Sequence, residues 1–218
     1  TGHTGSVNAC AFGITGAGRL LLATGDARTV RVWDAETGAL VRELTGHTGS
    51  VNACAFGITG AGRLVLATAG ADETVRVWDP EAGTLIRGLP GHGGDVHVCA
   101  FGTTSSGRLL LATADDDLTV RIWDSETGTP THHFTDDVDM VRACAFGTTG
   151  TGRNFLVTAG FDQSVRLWPL EDENRSRPNA AYRIGGPAKA LASWAGLVAV
   201  GLEGGVIVVD LEKLGADV

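Results

Sequence analysis

A period of about forty-five residues constrains this chain of 218 residues more than any other feature. Residues 1–24 and 45–68 are identical except that Leu21 is matched by Val65. Four tryptophans recur at the same interval, namely Trp33, Trp78, Trp123 and Trp168. A repeat of this length is one supersecondary unit, which buries its apolar face only against a neighbouring unit. The chain is therefore predicted to be a stack of similar units.

Each unit is predicted to contain four short β-strands. In the first unit, strand-like runs cover residues 7–13, 19–24, 29–34 and 39–45, and turn signals such as ITGAG, GDAR and AETG separate them. The 32 glycines of the chain agree with many tight turns. No apolar run reaches the length that spans a membrane.

The motifs GH…VRVWDAETG, GH…VRVWDPEAG and GH…VRIWDSETG resemble the WD-repeat β-propeller family, over essentially the whole chain. The resemblance implies an all-β fold of about five blades, each a four-stranded antiparallel sheet. The expected blades cover residues 1–45, 46–90, 91–135, 136–186 and 187–218. The fifth is degenerate, because Val209-Asp210 stands where Trp-Asp belongs. Since the family's commonest ring is larger, we expect an arc of a larger propeller, or a ring completed by another chain.

His, Thr and Asp recur together in the units, and such a set invites a nucleophile-and-base interpretation. The resemblance implies instead a structural tetrad, made by the histidine of the Gly-His turn, a strand-b Thr, a b–c turn Asp and the strand-c Trp. A catalytic site would rarely be copied three times with the same neighbours, so we expect no enzyme activity. The implied tetrads are His47, Thr68, Asp72 and Trp78 in the second blade; His92, Thr113, Asp117 and Trp123 in the third; and Thr158, Asp162 and Trp168 in the fourth.

Two blades depart from the tetrad pattern. The first has His3, Thr24 and Trp33, but its GDAR turn is one residue short and displaces Asp26, so His3 is expected to lack its Asp. In the fourth, Asp137 stands where the histidine is due.

Residues that bind metals in other proteins are present but poorly spaced. Cys10, Cys54, Cys99 and Cys144 recur once per unit, without Cys-x-x-Cys spacing, and are expected to be free, buried and packed like small apolar side chains. His132-His133 and the acidic runs 115–117 and 136–137 are the alternative ligands. Short acidic clusters at turns are usually solvated, so we expect neither a metal nor a cofactor.

Positions that differ between the copies are the candidates for partner binding. In the family, the d–a and b–c turns form the narrow top face of the propeller together with the start of strand a. The candidates on that face are Asn8, Asn52, His97, Arg142, Asp116 and Phe161. Phe161 beside Arg142 is the best candidate anchor, since aromatic and Arg side chains dominate binding energy. Ordinary surface variation is the alternative for any single position.

The formal net charge of −8 argues against nucleic acid and anionic membranes as partners, because both need clustered Lys and Arg. Unpaired thiols fit the cytoplasm, and the preference for Arg over Lys favours a bacterial source. We expect a non-enzymatic scaffold or sensor module that binds protein partners, as the C-terminal part of a longer signalling or regulatory protein. The alternative is a self-assembling repeat fragment that completes a propeller as a homo-oligomer.

Overall fold

The computed structural model of the chain describes residues 2–3, 5–135, 140–149, 151–170, 178, 180–194 and 197–210. Within those ranges the chain forms β-strands and turns, and no helix. Hence none of these segments has the form of a long apolar helix that could cross a membrane. The strands form five antiparallel sheets in which neighbours in sequence are neighbours in space.

The first two sheets each contain four strands. The first sheet consists of β1 (Ala9–Ile14), β2 (Leu20–Gly25), β3 (Thr29–Asp34) and β4 (Leu40–Thr45). The second consists of β5 (Val51–Ile58), β6 (Leu64–Gly70), β7 (Val75–Asp79) and β8 (Thr84–Leu89).

The third and fourth sheets repeat this pattern, and the fifth has three described strands. The third consists of β9 (Val96–Thr103), β10 (Leu109–Asp115), β11 (Val120–Asp124) and β12 (Pro130–Phe134). The fourth consists of β13 (Val141–Thr148), β14 (Asn154–Gly160), β15 (Ser164–Pro169) and β16 (Ala180–Arg183). The fifth consists of β17 (Ala188–Trp194), β18 (Leu197–Leu202) and β19 (Gly205–Asp210).

Successive sheets pack face to face, with their first strands in contact: β1 on β5, β5 on β9, β9 on β13 and β13 on β17. Every sheet therefore has two distinct faces. We call the face that carries the third-strand tryptophan, or Val209 in the fifth sheet, the Trp face. The opposite face, which carries the Val30 and Val32 side chains in the first sheet, is the Val face. The Val face of each sheet packs against the Trp face of the next.

The first of these interfaces illustrates the core. Val30 and Val32 of the first sheet pack with Leu66 and Trp78 of the second, and all four side chains are buried. The middle strands β6, β10 and β14 are buried along their whole length, because both of their faces are covered. In β2 burial alternates instead, since only its Val face is covered.

The five sheets form an open arc in the described part of the chain, because no comparable packing joins β1 to β17. The openness corrects one expectation about the cysteines. All four are free, and Cys144 is buried, but Cys10 lies on the uncovered Trp face of the first sheet and is exposed. Cys54 and Cys99, at the same position in the next sheets, are only partly accessible because a neighbouring sheet covers them.

Candidate functional site

A hydrogen-bonded chain of four side chains recurs in the first three sheets. In the second sheet, Trp78 Nε1 donates to Thr68 Oγ1 at 2.9 Å, and that hydroxyl lies 2.8 Å from His47 Nε2. His47 Nδ1 lies 3.0 Å from both carboxylate oxygens of Asp72. An Nδ1–H donor to Asp72 leaves Nε2 free to accept from the threonine, so each polar atom has a partner. We call this arrangement the Trp–Thr–His–Asp chain.

Burial and hydrogen bonding set the charges in the second-sheet chain. Burial opposes ionisation of Asp72, but hydrogen bonds from Thr74, the Thr48 amide and His47 outweigh it and lower the pKa of Asp72 to about 2. Burial also lowers the pKa of His47, and although the Asp72 carboxylate acts in the opposite direction, it does not cancel this effect. The pair is therefore a carboxylate beside a neutral imidazole at neutral pH.

In the third sheet the carboxylate of the Trp–Thr–His–Asp chain comes from Asp115. The prediction that Asp117 supplies it is wrong. His92 Nδ1 lies 2.5 Å from Asp115 Oδ2, while Trp123 Nε1 donates to Thr113 Oγ1 at 2.8 Å. Asp115 follows Thr113 by two residues in the same strand, so both side chains lie on one face. Asp117 lies beyond, where it accepts from the Thr119 amide at 3.1 Å.

The first sheet also has the complete chain, which corrects the expectation that His3 lacks its Asp. His3 Nδ1 lies 2.7 Å from Asp26 Oδ2, and His3 Nε2 lies 2.5 Å from Thr24 Oγ1. Trp33 Nε1 donates to that threonine at 2.8 Å. Asp26, like Asp115, follows its threonine by two residues, so the short GDAR turn does not move it away. Despite burial, hydrogen bonds from His3, the backbone amides and Arg31 lower the pKa of Asp26 to about 2.

The carboxylate that pairs with the histidine thus comes from either of two sequence positions. Where the second residue after the threonine is Asp, that side chain reaches the histidine. Where it is Gly70, Asp72 two residues later turns back into the space. A Cβ on Gly70 would lie 2.9 Å from both Asp72 Oδ1 and His47 Nδ1, so a side chain there and the Asp72 carboxylate cannot occupy that space together.

The fourth sheet keeps only the first link among the described residues. Trp168 Nε1 donates to Thr158 Oγ1 at 2.9 Å. Asp162 pairs with Arg166 at 2.5 Å and accepts from Ser164 Oγ. Asp137, which stands at the histidine position in sequence, lies outside the described residues.

A second recurring feature is a β-bulge at the start of the first strand. In the fourth sheet Val141 pairs with Gly160 and Ala143 with Ala159, which leaves Arg142 as the extra residue. The same count makes Asn52, His97 and Lys189 the extra residues of the second, third and fifth sheets. A bulge takes its residue out of the ladder and re-aims the side chain. Three of the predicted top-face residues, Asn52, His97 and Arg142, are these bulge residues.

The bulge residue of three successive sheets contacts a residue of the b–c turn in its own sheet. His97 Nε2 lies 2.8 Å from Asp116 Oδ1. The Arg142 guanidinium carbon lies 4.6 Å from the centroid of the Phe161 ring, a cation–π contact, and 47 % of Phe161 is exposed. Lys189 Nζ lies 3.7 Å from Glu203 Oε1. We call these three contacts the bulge pairs.

The first two sheets lack such pairs in the described residues. Asn52 donates through Nδ2 to the Val96 carbonyl of the next sheet at 3.1 Å, and its turn counterpart, Ala71, has no polar side chain. Asn8 donates its backbone amide to Gly25. The bulge pairs thus lie on the third to fifth sheets, whereas Asn52 and Asn8 bond to main-chain carbonyl groups. Lys189 and Glu203 had not been predicted, because the fifth repeat is too degenerate to align by its motifs.

In the described ranges, no three His, Cys, Asp or Glu side chains are grouped closely enough to hold a metal ion. Asp115 ends β10 and pairs with His92, while Asp117 accepts from the Thr119 amide in the turn that follows. His132, on the outer strand β12, lies beside the Phe134 ring, with centroids 5.7 Å apart. Residues 136–139 of the second acidic run are outside the described part.

Comparison with known proteins supports the repeat assignment. The family model described as WD domain, G-beta repeat matches the chain four times, at residues 1–34, 38–79, 83–124 and 126–169. These matches together cover well over half of the chain, up to the third strand of the fourth sheet. A search of curated proteins returns no match.

Proposed function

Because the chain belongs to the WD-repeat family, whose repeats generally mediate protein–protein interactions, we propose that it is a non-enzymatic interaction scaffold. Its protein partner binds the top face of the third to fifth sheets, at the bulge pairs. The observation that carries the proposal is the Arg142–Phe161 contact. An exposed aromatic ring held under a guanidinium supplies a rigid apolar surface and a positive charge in one place.

The recurring His, Thr and Asp side chains are structural in this proposal. The Thr68 hydroxyl is buried, accepts from Trp78 and faces His47, so a substrate cannot reach it without unfolding the turn. A nucleophile needs a hydroxyl that is open to substrate. The same arrangement in three sheets ties each Gly-His turn to its strands, which supports a scaffold that presents the turns.

The chemistry of the bulge pairs indicates the kind of partner segment. Phe161 offers its exposed ring to an apolar side chain, and the Arg142 guanidinium against that ring favours a carboxylate in the same segment. The overall charge of −8 supports a protein partner over nucleic acid or an anionic membrane. The free cysteines support a reducing, cytoplasmic location.

Selection from a random peptide library on the immobilised chain tests the proposal. We expect peptides with an apolar residue next to an acidic one, whose binding is lost in Phe161→Ala and strongly weakened in Arg142→Ala. Tyr182→Ala, an exposed aromatic residue on the outer strand β16, and Arg63→Ala, whose guanidinium pairs with Asp79, are the matched controls. Failure to select any peptide, or equal loss in the controls, would overturn the proposed site.

A further inference from the structure

A cavity of about 290 Å³ lies at the lower edge of the third to fifth sheets, opposite the top face that carries the bulge pairs. The ends of β9, β13 and β17 and the start of β14 contribute to its walls. None of the described residues that line it is ionisable. The lining includes two aromatic rings and four polar side chains, namely Phe101, Phe146, Thr103, Thr148, Asn154 and Ser193.

The polar character of this cavity sets it apart from the matching groove of the first two sheets. That groove is apolar, and its lining includes Phe56, Ile58 and Leu64. In the fourth sheet, Thr148 stands in the place of Ile58, and Asn154 in the place of Leu64. Only 7 % of Asn154 is exposed. Because a buried amide costs free energy unless it is hydrogen-bonded, this exchange is more than ordinary surface variation.

The fifth sheet leaves additional space in the cavity. Counted from the bulge residue, Ser193 of β17 stands where Phe146 stands in β13. The Phe146 ring packs so closely on Gly102 of the preceding sheet that a Cβ there would clash with it. Serine has no ring, so the space beside Gly147 is open and forms part of the cavity.

Hydrogen bonds hold the polar groups of the cavity in place. Thr148 Oγ1 donates to Asn154 Oδ1 at 3.1 Å, and Asn154 Nδ2 donates to Ser105 Oγ at 3.2 Å. Ser193 Oγ donates to the Phe146 carbonyl. Because a hydroxyl group that donates its proton keeps its lone pairs, Thr148 and Ser193 can still accept hydrogen bonds. The cavity therefore favours a ligand that carries its own O–H donors.

We propose that this cavity binds the ring of a neutral hexose. A charged ligand would lose hydration here without an opposite charge to replace it. The phenylalanine rings offer apolar walls to the C–H groups of a pyranose, while the hydroxyl and amide groups meet its hydroxyls. Ligand pockets begin at about 300 Å³, so the volume suits a single ring. The site lies away from the bulge pairs, and the inference goes beyond the proposed scaffold role.

Saturation-transfer NMR titrations of the full chain with glucose, galactose and mannose test the proposal. We expect at least one of these sugars to bind, and the charged sugars glucuronate and glucosamine to give no signal. Asn154→Leu and Thr148→Ile each install the residue that the second sheet has at the same position. Each variant should weaken binding about tenfold or more, because a hydrogen bond to the ligand is lost.

Two matched variants serve as controls for the hexose titrations. Thr84→Val removes an exposed hydroxyl from β8 of the second sheet, and Phe161→Ala changes the bulge pairs at the opposite edge. Both should bind the sugar as the wild type does. Melting curves check the folding of every variant. Since Thr148 is exposed, Thr148→Ile keeps the test decisive even where Asn154→Leu unfolds.

Three results of these titrations would overturn the proposed hexose site. The first is the absence of binding by all three neutral hexoses. The second is binding that survives in the folded cavity variants or is lost equally in Thr84→Val. The third is binding of glucuronate or glucosamine as tight as that of the neutral sugars, because the uncharged lining would then not select the ligand.

Discussion

His92 Nδ1 lies 2.5 Å from Oδ2 of Asp115, and neither side chain is exposed to solvent. The acidic run DDD of the b–c turn therefore has one member with a structural partner inside the sheet and two members nearer the surface. Since a buried carboxylate beside an imidazole has no water to replace its partner, the two kinds of aspartate should respond differently to mutation.

Asp115→Asn is expected to lower the free energy of unfolding by about 1–3 kcal/mol, because it removes a charge-assisted hydrogen bond in a buried site. Asp117→Asn should cost clearly less, since its side chain is 31 % exposed and pairs loosely with Arg121 at 3.7 Å. Urea unfolding at neutral pH measures both. The assignment of Asp115 fails if Asp117→Asn is the more damaging change.

Gly70→Ala is expected to destabilise the chain by about 1–3 kcal/mol, as other insertions into filled space do. The new methyl group would lie 2.9 Å from both the Asp72 carboxylate and the His47 ring. Gly88→Ala is the control, because no atom lies within 4 Å of its added Cβ. Equal melting temperatures for the two variants would contradict the proposed competition for space.

Stability is expected to fall between about pH 7.5 and about pH 5, because the pKa of His47 in the folded chain is lower than its ordinary value of 6.5. A lowered histidine pKa means that the unfolded chain binds more protons, so acidification favours unfolding. His133 acts in the same direction, since burial and the Arg121 charge lower its pKa. Urea unfolding at both pH values should show a smaller difference in His47→Asn than in wild type. An undiminished difference would rule out His47 as a source.

The Asp72 and Asp26 carboxylates make stability depend on pH in a second, more acidic range. Their pKa values of about 2 lie below the ordinary 3.8, so the stability that they contribute is present above about pH 4. It is lost as the pH falls towards 2, when the folded state must also bind the protons. Asp72→Asn should flatten the loss of melting temperature in this range. A wild-type profile that is already flat there would contradict the lowered values.

Leu118→Gly is expected to stabilise the chain by about 1 kcal/mol, since Leu118 has a φ of 63° in the b–c turn and its side chain is largely exposed. Leu118→Ala keeps the left-handed backbone strain and should bring no gain. Thermal unfolding compares the two variants with wild type, and equal melting temperatures would argue against strain at this turn.

The period of the sequence was sufficient to predict the sheets. It was not sufficient to predict which aspartate pairs with each histidine, and Asp115 shows why. The tetrad pattern places the Asp four residues after Thr113, whereas Asp115 two residues after it lies on the same face of β10 and is closer to His92. Spacing alone cannot decide which of two neighbouring carboxylates pairs with the histidine. The sequence does contain the discriminating signal, which is Thr-Ala-Asp against Thr-Ala-Gly.

The candidate site was predicted only in part, and the reason differs from the one that applies to the histidine partners. Aligning the repeats identified His97, Arg142, Asp116 and Phe161, but nothing in the alignment indicates that a β-bulge separates His97 and Arg142 from their ladders. Lys189 was missed because the fifth repeat keeps none of the motif residues around it. The exposure of Cys10 was missed because burial there depends on a neighbouring sheet rather than on local sequence.

The most direct test of the account separates stability from binding in one set of variants. Phe161→Ala and Arg142→Ala should abolish or strongly weaken binding of a selected peptide, measured by calorimetry, with the melting temperature unchanged. His47→Asn should lower the melting temperature yet bind the same peptide with wild-type affinity well below that temperature, because its Trp–Thr–His–Asp chain only holds the turn. Peptide binding that depends on His47 in the folded chain and is indifferent to Phe161 would contradict the account.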